Sequence, residues 1–203
     1  MRTDKKVGIM GGTFDPIHIG HLILAETAKD YFHLDEVLFV PSGSSYMKEN
    51  VTDKYIRSHM VELAIEDNPD FALSNIEIER EGNSYSYETM QQLKALHPDN
   101  TYYFIVGADS IFHMREWKNI DLLFENCIIA VAVREGYSET ELNECIHSLT
   151  KEFSNCKIQL FATSRVDISS TDIRQRLIQK LSARYSVPDK VLAYLEKNRI
   201  YSD

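Results

Sequence analysis

The stretch Gly8-Ile9-Met10-Gly11-Gly12-Thr13-Phe14-Asp15-Pro16-Ile17-His18-Ile19-Gly20-His21 decides how this chain is read. It begins inside a short apolar run, Val7–Met10. It ends where apolar residues start to recur every three or four positions, at Leu22, Ala25, Ala28 and Phe32. That change of period marks a strand, a loop and then an amphipathic helix. Gly11 and Gly12 let the main chain approach a ligand without side chains in the way. His18 and His21 stand near the start of the helix at a spacing that puts them on one face. Two imidazoles beside helix N-terminal N–H groups make an anion site. The loop is neither the GxGxxG dinucleotide fingerprint nor the GxxxxGK[ST] phosphate loop. A metal site is the other reading of the pair, but no carboxylate or cysteine stands at a suitable local spacing to complete one.

Outward from this stretch, further strand-length runs follow at Val37–Val40, Tyr102–Val106, Ile128–Val133 and Ile158–Ala162. They are continuous rather than alternating, as strands buried on both faces are. Helical periodicity lies between them: residues 53–67 set Ile56, Met60, Leu63 and Ala64 on one face, and residues 86–96 do so with Met90, Leu93 and Leu96. Asp67-Asn68-Pro69-Asp70 and His97-Pro98-Asp99-Asn100 read as turns. Pro188 is placed to open a last helix reaching about Asn198. Alternating β and α segments predict a doubly wound α/β fold, a mostly parallel Rossmann-like sheet with helices on both faces. No repeat or linker divides residues 1–203, so one domain is expected. Ligands of such sheets bind beyond the carboxyl ends of the strands.

Composition narrows the function classes. The formal net charge is −9, from 22 basic and 31 acidic residues. That balance opposes binding to nucleic acid by counterion release, while a few local donors can still hold a small phosphorylated molecule. No apolar run approaches the length that spans a bilayer, and the first residues lack the apolar core of a signal peptide. A cytoplasmic place and no membrane partner are expected. Cys127, Cys145 and Cys156 form no CxxC pair and read as reduced thiols. A homo-oligomer is compatible with all of this, and the sequence does not fix it.

A second informative segment is Asp167-Ile168-Ser169-Ser170-Thr171-Asp172-Ile173-Arg174-Gln175-Arg176-Leu177. Ser169 or Ser170 can cap the helix that follows. Capping explains one hydroxyl; three hydroxyls and Arg174 on the same face suit a polyphosphate.

Together these residues carry a resemblance. Gly11 to His21 resembles the GGTFDPxHxGH signature of the nucleotidyltransferase superfamily, most of all its nicotinate-nucleotide adenylyltransferase branch. The HxGH part also marks class I aminoacyl-tRNA synthetases. Residues 168–174 resemble the family's ISSTxIR motif, which binds the β- and γ-phosphates of ATP. Phe104-Ile105-Val106-Gly107-Ala108-Asp109-Ser110 resembles its strand-then-GAD segment, Arg115-Glu116-Trp117-Lys118 its tryptophan that stacks on the pyridine ring, and Ser84–Thr89 its SYTxDT helix start. The resemblance runs from Val7 to Tyr201. It departs where relatives carry Pro-Pro-His-Lys: this chain reads Pro41-Ser42-Gly43-Ser44-Ser45-Tyr46-Met47-Lys48, keeping only the lysine. A looser loop is implied there. Ser86 and Glu88 replace the usual Thr and Asp.

The resemblance implies transfer of AMP from ATP to nicotinate mononucleotide, with pyrophosphate released and Mg²⁺ delivered with ATP. It implies ATP contacts from Gly11, Gly12, Thr13, Phe14, His18, His21, Gly107, Asp109, Ser169, Ser170, Thr171 and Arg174. It implies mononucleotide contacts from Thr13, Lys48, Ser86 and Trp117, and catalysis by His18, His21, Lys48 and Arg174. The rivals are a sister adenylyltransferase acting on nicotinamide mononucleotide or phosphopantetheine, a cytidylyltransferase, and a nucleotide-binding sensor weakened in catalysis. No protein metal site is expected.

Overall fold

The computed structural model describes residues 4–44, 50–134 and 139–202. Among these the strands are β1 (Lys6–Gly12), β2 (Glu36–Pro41), β3 (Phe71–Leu73), β4 (Thr101–Gly107), β5 (Ile128–Val133) and β6 (Ile158–Ala162). They form a parallel sheet in the order β3-β2-β1-β4-β5-β6. Val7 pairs with Tyr102, Tyr103 with Ile128, and Val131 with Leu160. The five apolar runs are all strands. β3 escaped the pattern because it has three half-buried residues, too few to show a period.

Burial explains the continuous apolar runs. Tyr102 to Val106 in β4 and Ile129 to Ala132 in β5 are buried throughout, whereas edge strand β6 buries only Phe161. The order of strands reverses between β1 and β4, the topological switch point where such sheets take their ligands. The chain leaves β1 at Gly12 and β4 at Gly107, so the Gly8–His21 loop and the Gly107-Ala108-Asp109 segment start there, while Asp167–Leu177 follows β6.

The helices among the described residues are α1 (Ile19–Phe32), α2 (Lys54–Ile65), α3 (Ile76–Glu79), α4 (Ser86–Leu96), α5 (Ala108–Phe112), α6 (Ile120–Asn126), α7 (Glu139–Glu152), α8 (Ser170–Ile178) and α9 (Asp189–Lys197). α2 starts where Asp53 accepts hydrogen bonds from the N–H groups of Tyr55 and Ile56. Its buried face differs from the expected one. It is Arg57, Ser58, Met60, Val61 and Ile65, and Ile56, Leu63 and Ala64 are only half-buried. The apolar stripe was rotated by one residue because a buried arginine stands where a period count expects solvent. In α4, Met90 and Leu93 are buried but Leu96, at the last turn, is exposed. Pro188 and Asn198 cap α9 rather than belonging to it.

The chain divides into two compact units interleaved in sequence. One comprises Met1–Gly11, Ala25–Leu38 and Tyr85–Arg165, and the other Gly12–Leu24, Phe39–Ser84 and Val166–Asp203. In the first, Phe32 stacks on Tyr103 with ring centroids 5.1 Å apart and meets Phe161 edge-on at 5.4 Å. In the second, Phe39 packs on Phe71 at 5.1 Å and His59 meets Tyr194 edge-on at 4.9 Å. Such ring pairs each add about 0.5–1.5 kcal/mol beyond the area they bury. All three cysteines are free, and burial pushes the Cys156 thiol up to about 11. No helix of the described residues is long and apolar enough to cross a membrane.

Candidate active site

The second unit holds the loop that follows β1. His18 and His21 lie on one face, their rings stacked with centroids 3.6 Å apart and planes 21° off parallel. The main-chain N–H of His18 donates to Nδ1 of His21 at 3.2 Å, and the N–H of His21 donates back to the His18 carbonyl at 3.0 Å. An Nδ1 that accepts a hydrogen bond leaves the proton of a neutral His21 on Nε2. Gly20 makes room for this pair: a Cβ there would lie 3.1 Å from Nδ1 of His18. His18 is only 8% exposed and His21 is half-buried. Phe14 is buried too, with φ of 50°, and sets its ring edge-on to His21 at 5.0 Å. Its side chain is the floor of the loop, so a ligand could meet Phe14 only through the main chain.

The helix start at α8 belongs to the same unit. Ser169 caps it, accepting from the Asp172 N–H at 3.1 Å and donating its hydroxyl to the Asp172 carboxylate at 2.7 Å. Ser170 donates its hydroxyl to the Pro16 carbonyl at 2.8 Å. A hydroxyl has one hydrogen to give, so both serines have committed theirs to protein oxygens. What they leave for an anion is the start of a nine-residue helix, whose first N–H groups have no intrahelical acceptor.

Arg174, on α8, donates to the Asp15 carbonyl at 2.6 Å and to the Thr171 hydroxyl at 3.3 Å. The carboxylate of Asp15 lies 3.9 Å from the same guanidinium. That carboxylate also accepts from the Thr52 N–H at 3.4 Å and from the hydroxyl of Tyr201. Burial, then the bond to Asp15, pushes the Tyr201 phenol up. Gly12 to Asp15, His21, Ser169 to Thr171 and Arg174 all line one cavity of about 530 Å³. Two separate sequence motifs thus meet around one cavity. Among the described residues no three His, Cys, Asp or Glu side chains group as a metal site.

Further expected residues lie in the first unit. Gly11 is exposed at the end of its segment. Gly107 caps α5, and Asp109 is exposed in the first turn. Ser86 begins α4. Trp117 ends the 3₁₀ turn Met114–Glu116, half-buried, edge-on to Phe104 with centroids 6.0 Å apart. Ile111 and Met114 supply the core contacts beneath it, but Phe112 is exposed. Next to it, Lys118 lies 4.2 Å over the ring of Tyr85. Lys48 and the altered residues Ser45, Tyr46 and Met47 lie outside the described residues.

The looser loop that loss of the prolines implies falls on those residues, and the stem before them is hydrogen-bonded. Ser42 donates its N–H to the Gly12 carbonyl, Gly43 donates its N–H to Oγ of Ser84, both at 2.9 Å, and Ser44 bridges Asn83. Three contributors went unrecognised from sequence. Asp15 sat inside the quoted loop, Tyr201 near the end of the matched stretch, and Arg57 showed no signal, since its acceptors are backbone carbonyls.

The class that this layout defines is the α/β nucleotidyltransferases: two phosphate-type loops beyond the strand ends, the first carrying HxGH. The cytidylyltransferase-like family profile matches residues 9–176. The "Probable nicotinate-nucleotide adenylyltransferase" of Lachnoclostridium phytofermentans is 38% identical over 97% of this chain and 99% of its own length. The protein of that name from Thermoanaerobacter sp. is 39% identical over 99% and 96%. The chain belongs to the cytidylyltransferase-like family, in its nicotinate-nucleotide adenylyltransferase branch. In fold it resembles Plasmodium falciparum nicotinic acid mononucleotide adenylyltransferase complexed with NaAD, with a TM-score of 0.79 at 22% identity over 97% of each chain.

Proposed function

We propose that this chain joins ATP to nicotinate mononucleotide, giving nicotinate adenine dinucleotide and pyrophosphate. The observation that carries the reading is the cavity shared by the Gly12–Asp15 loop, His21 and the Arg174-bearing start of α8. Its donors suit a polyphosphate, and family membership supplies the acceptor. In the reaction a phosphate oxygen of the mononucleotide attacks the α-phosphorus of ATP in line. A new P–O bond forms, the bond to the bridging oxygen breaks, and its electron pair leaves on pyrophosphate. The attacking phosphate is already ionised, so no general base is required, and catalysis is positioning plus charge stabilisation.

In this reading His18 and His21 stabilise charge at the α-phosphorus, with Nε2–H of His21 as a donor. Arg174 and the start of α8 take the departing pyrophosphate, with Lys48 assigned to the same charge. Trp117 and the Ser86 helix start take the pyridine end. The donor set fits a phosphate rather than a bare cation, and the Asp15 carboxylate is already taken by Tyr201 and Thr52. Mg²⁺ would therefore arrive held by triphosphate oxygens and water, neutralising the pyrophosphate as it departs.

Pyrophosphate release from ATP and Mg²⁺ is the test, with nicotinate mononucleotide, nicotinamide mononucleotide and phosphopantetheine as acceptors. Turnover should be fastest with nicotinate mononucleotide. Turnover with phosphopantetheine alone assigns a sister transferase, and binding of ATP without turnover assigns a sensor.

A further inference from the structure

Arg57 is 1% exposed, on the inner face of α2. A guanidinium has five N–H donors in a fixed planar fork. Here five hydrogen bonds run from it, all to loop oxygens. Nε donates to the Thr52 carbonyl at 2.8 Å. One terminal nitrogen donates to the Thr13 carbonyl at 2.6 Å and to Oγ of Ser42 at 3.4 Å, and the other to the carbonyls of Ser42 and Gly43 at 2.7 and 2.9 Å. The acceptors belong to the loop after β1, the stem after β2 and the residue that leads into the cap of α2. Four of them are main-chain carbonyls, which no exposed salt bridge would require.

Burying a guanidinium is costly unless its N–H groups are matched. That desolvation lowers the Arg57 pKa, countered first by Asp15 nearby. The stem it grips is held from its other side as well. Gly43 lies so close to the Glu77 carbonyl that a Cβ would sit 2.1 Å from that oxygen. Its N–H bonds Ser84, as described above.

We propose that Arg57 is a positioning residue that holds the loop after β1 and the stem after β2 in one register, so that the cavity at the first loop and the chain leading to Lys48, which the resemblance implies contacts the mononucleotide, are set together. The inference rests on the adenylyltransferase reading for its kinetic part, and on the hydrogen-bond geometry alone for its structural part. Lysine would keep the charge but not the fork, because its three donors radiate from one point. Arg57→Lys should therefore raise the KM for ATP and for nicotinate mononucleotide together, each by roughly tenfold or more, the effect of losing about 1.4 kcal/mol of binding.

The experiment measures both KM values and hydrogen exchange for wild type, Arg57→Lys, Arg57→Ala and Ser84→Ala. Exchange at the Ser42 and Gly43 amides should quicken at least tenfold in Arg57→Lys, with β4 amides unchanged. Millimolar guanidinium, but not ammonium, should restore part of the Arg57→Ala activity. Ser84→Ala frees only the Gly43 N–H, yet it should raise the KM for ATP as well. Unchanged KM values and exchange in Arg57→Lys overturn the proposal, as does an effect on one substrate alone. If both arginine variants fail to fold, an unchanged ATP KM in Ser84→Ala overturns it. A wild-type protein that makes no dinucleotide defeats the functional reading instead, and the exchange result still decides whether Arg57 fixes the two loops.

Discussion

The hydroxyl of Tyr201 donates to the carboxylate of Asp15, 186 residues earlier in the chain. Asp15 is 6% exposed, so this bond satisfies a buried carboxylate that lines the cavity at the first loop. Tyr201→Phe should cost about 1.5–3 kcal/mol at pH 7, the range for a hydrogen bond to a charged group. The same bond predicts a pH dependence. Burial and Asp15 push the Tyr201 phenol above its ordinary 10.0, so the folded state keeps a proton that the unfolded state releases. Its contribution is complete below pH 10 and is lost as pH rises further. Urea unfolding from pH 7 to 11 should show wild-type stability falling above pH 10, and the fall should be shallower in Tyr201→Phe. An equal slope in both proteins assigns the alkaline loss elsewhere.

His21 offers Nε2–H because its Nδ1 is occupied by the His18 N–H. His21→Ala should lower kcat roughly a hundredfold, the scale of losing one preorganised donor, with a smaller change in KM. His18, being buried against His21, should cost stability as well as rate when truncated. Thermal unfolding beside kcat separates the two. A His21→Ala enzyme with wild-type kcat makes the pair structural.

The first loop was legible because its chemistry is local: the glycines, both histidines and the change of period fall within one short stretch. The strands were legible because burial on both faces leaves uninterrupted apolar runs. Arg57 was not. A charged residue within an amphipathic period reads as solvated, and only folding brings the carbonyls of Thr13, Ser42 and Gly43 to it. Tyr201 was hidden in the same way, its partner being far off in sequence. At Ser169 and Ser170 the sequence shows the hydroxyls but not their partners, which are the Asp172 carboxylate and the Pro16 carbonyl.

Two glycines should respond oppositely to alanine. At Gly43 the added methyl meets the Glu77 carbonyl, and Gly43→Ala should lose about 1–3 kcal/mol as overpacking does. At Gly107 the space is open and φ is −76°, so Gly107→Ala should change stability by under about 1 kcal/mol. If Gly107 faces the nucleotide, the same substitution should raise the ATP KM severalfold. An unchanged KM removes Gly107 from the site.

Arg174 reaches the Asp15 carbonyl and Thr171 from a half-exposed position on α8. Arg174→Ala should raise the ATP KM about tenfold or more, since charge-assisted contacts to phosphate are lost, and leave the mononucleotide KM within about twofold. Lysine should rescue only part of the loss, because it cannot offer two parallel N–H groups to a phosphate. Equal effects on both substrates would make Arg174 a support for the Asp15 loop rather than a phosphate ligand.

Trp117 is the chain's one tryptophan. Its ring stands edge-on to Phe104 and is half-buried, so part of the indole remains open to a ligand. Ile111 and Met114, both fully buried, already supply the core contacts of this turn. The open part of the indole is suited to stack on a flat ring, worth about 0.5–1.5 kcal/mol beyond buried area. With the burial lost as well, Trp117→Ala should weaken nicotinate mononucleotide binding by about tenfold or more, while ATP binding stays within about twofold. Trp117→Phe should recover part of the loss, since a smaller aromatic ring still stacks. Binding can be followed through the indole itself, whose fluorescence should change when nicotinate mononucleotide is added to the wild-type protein. If calorimetry shows that ligand binding while the fluorescence stays constant, Trp117 is a packing residue and the pyridine ring sits elsewhere.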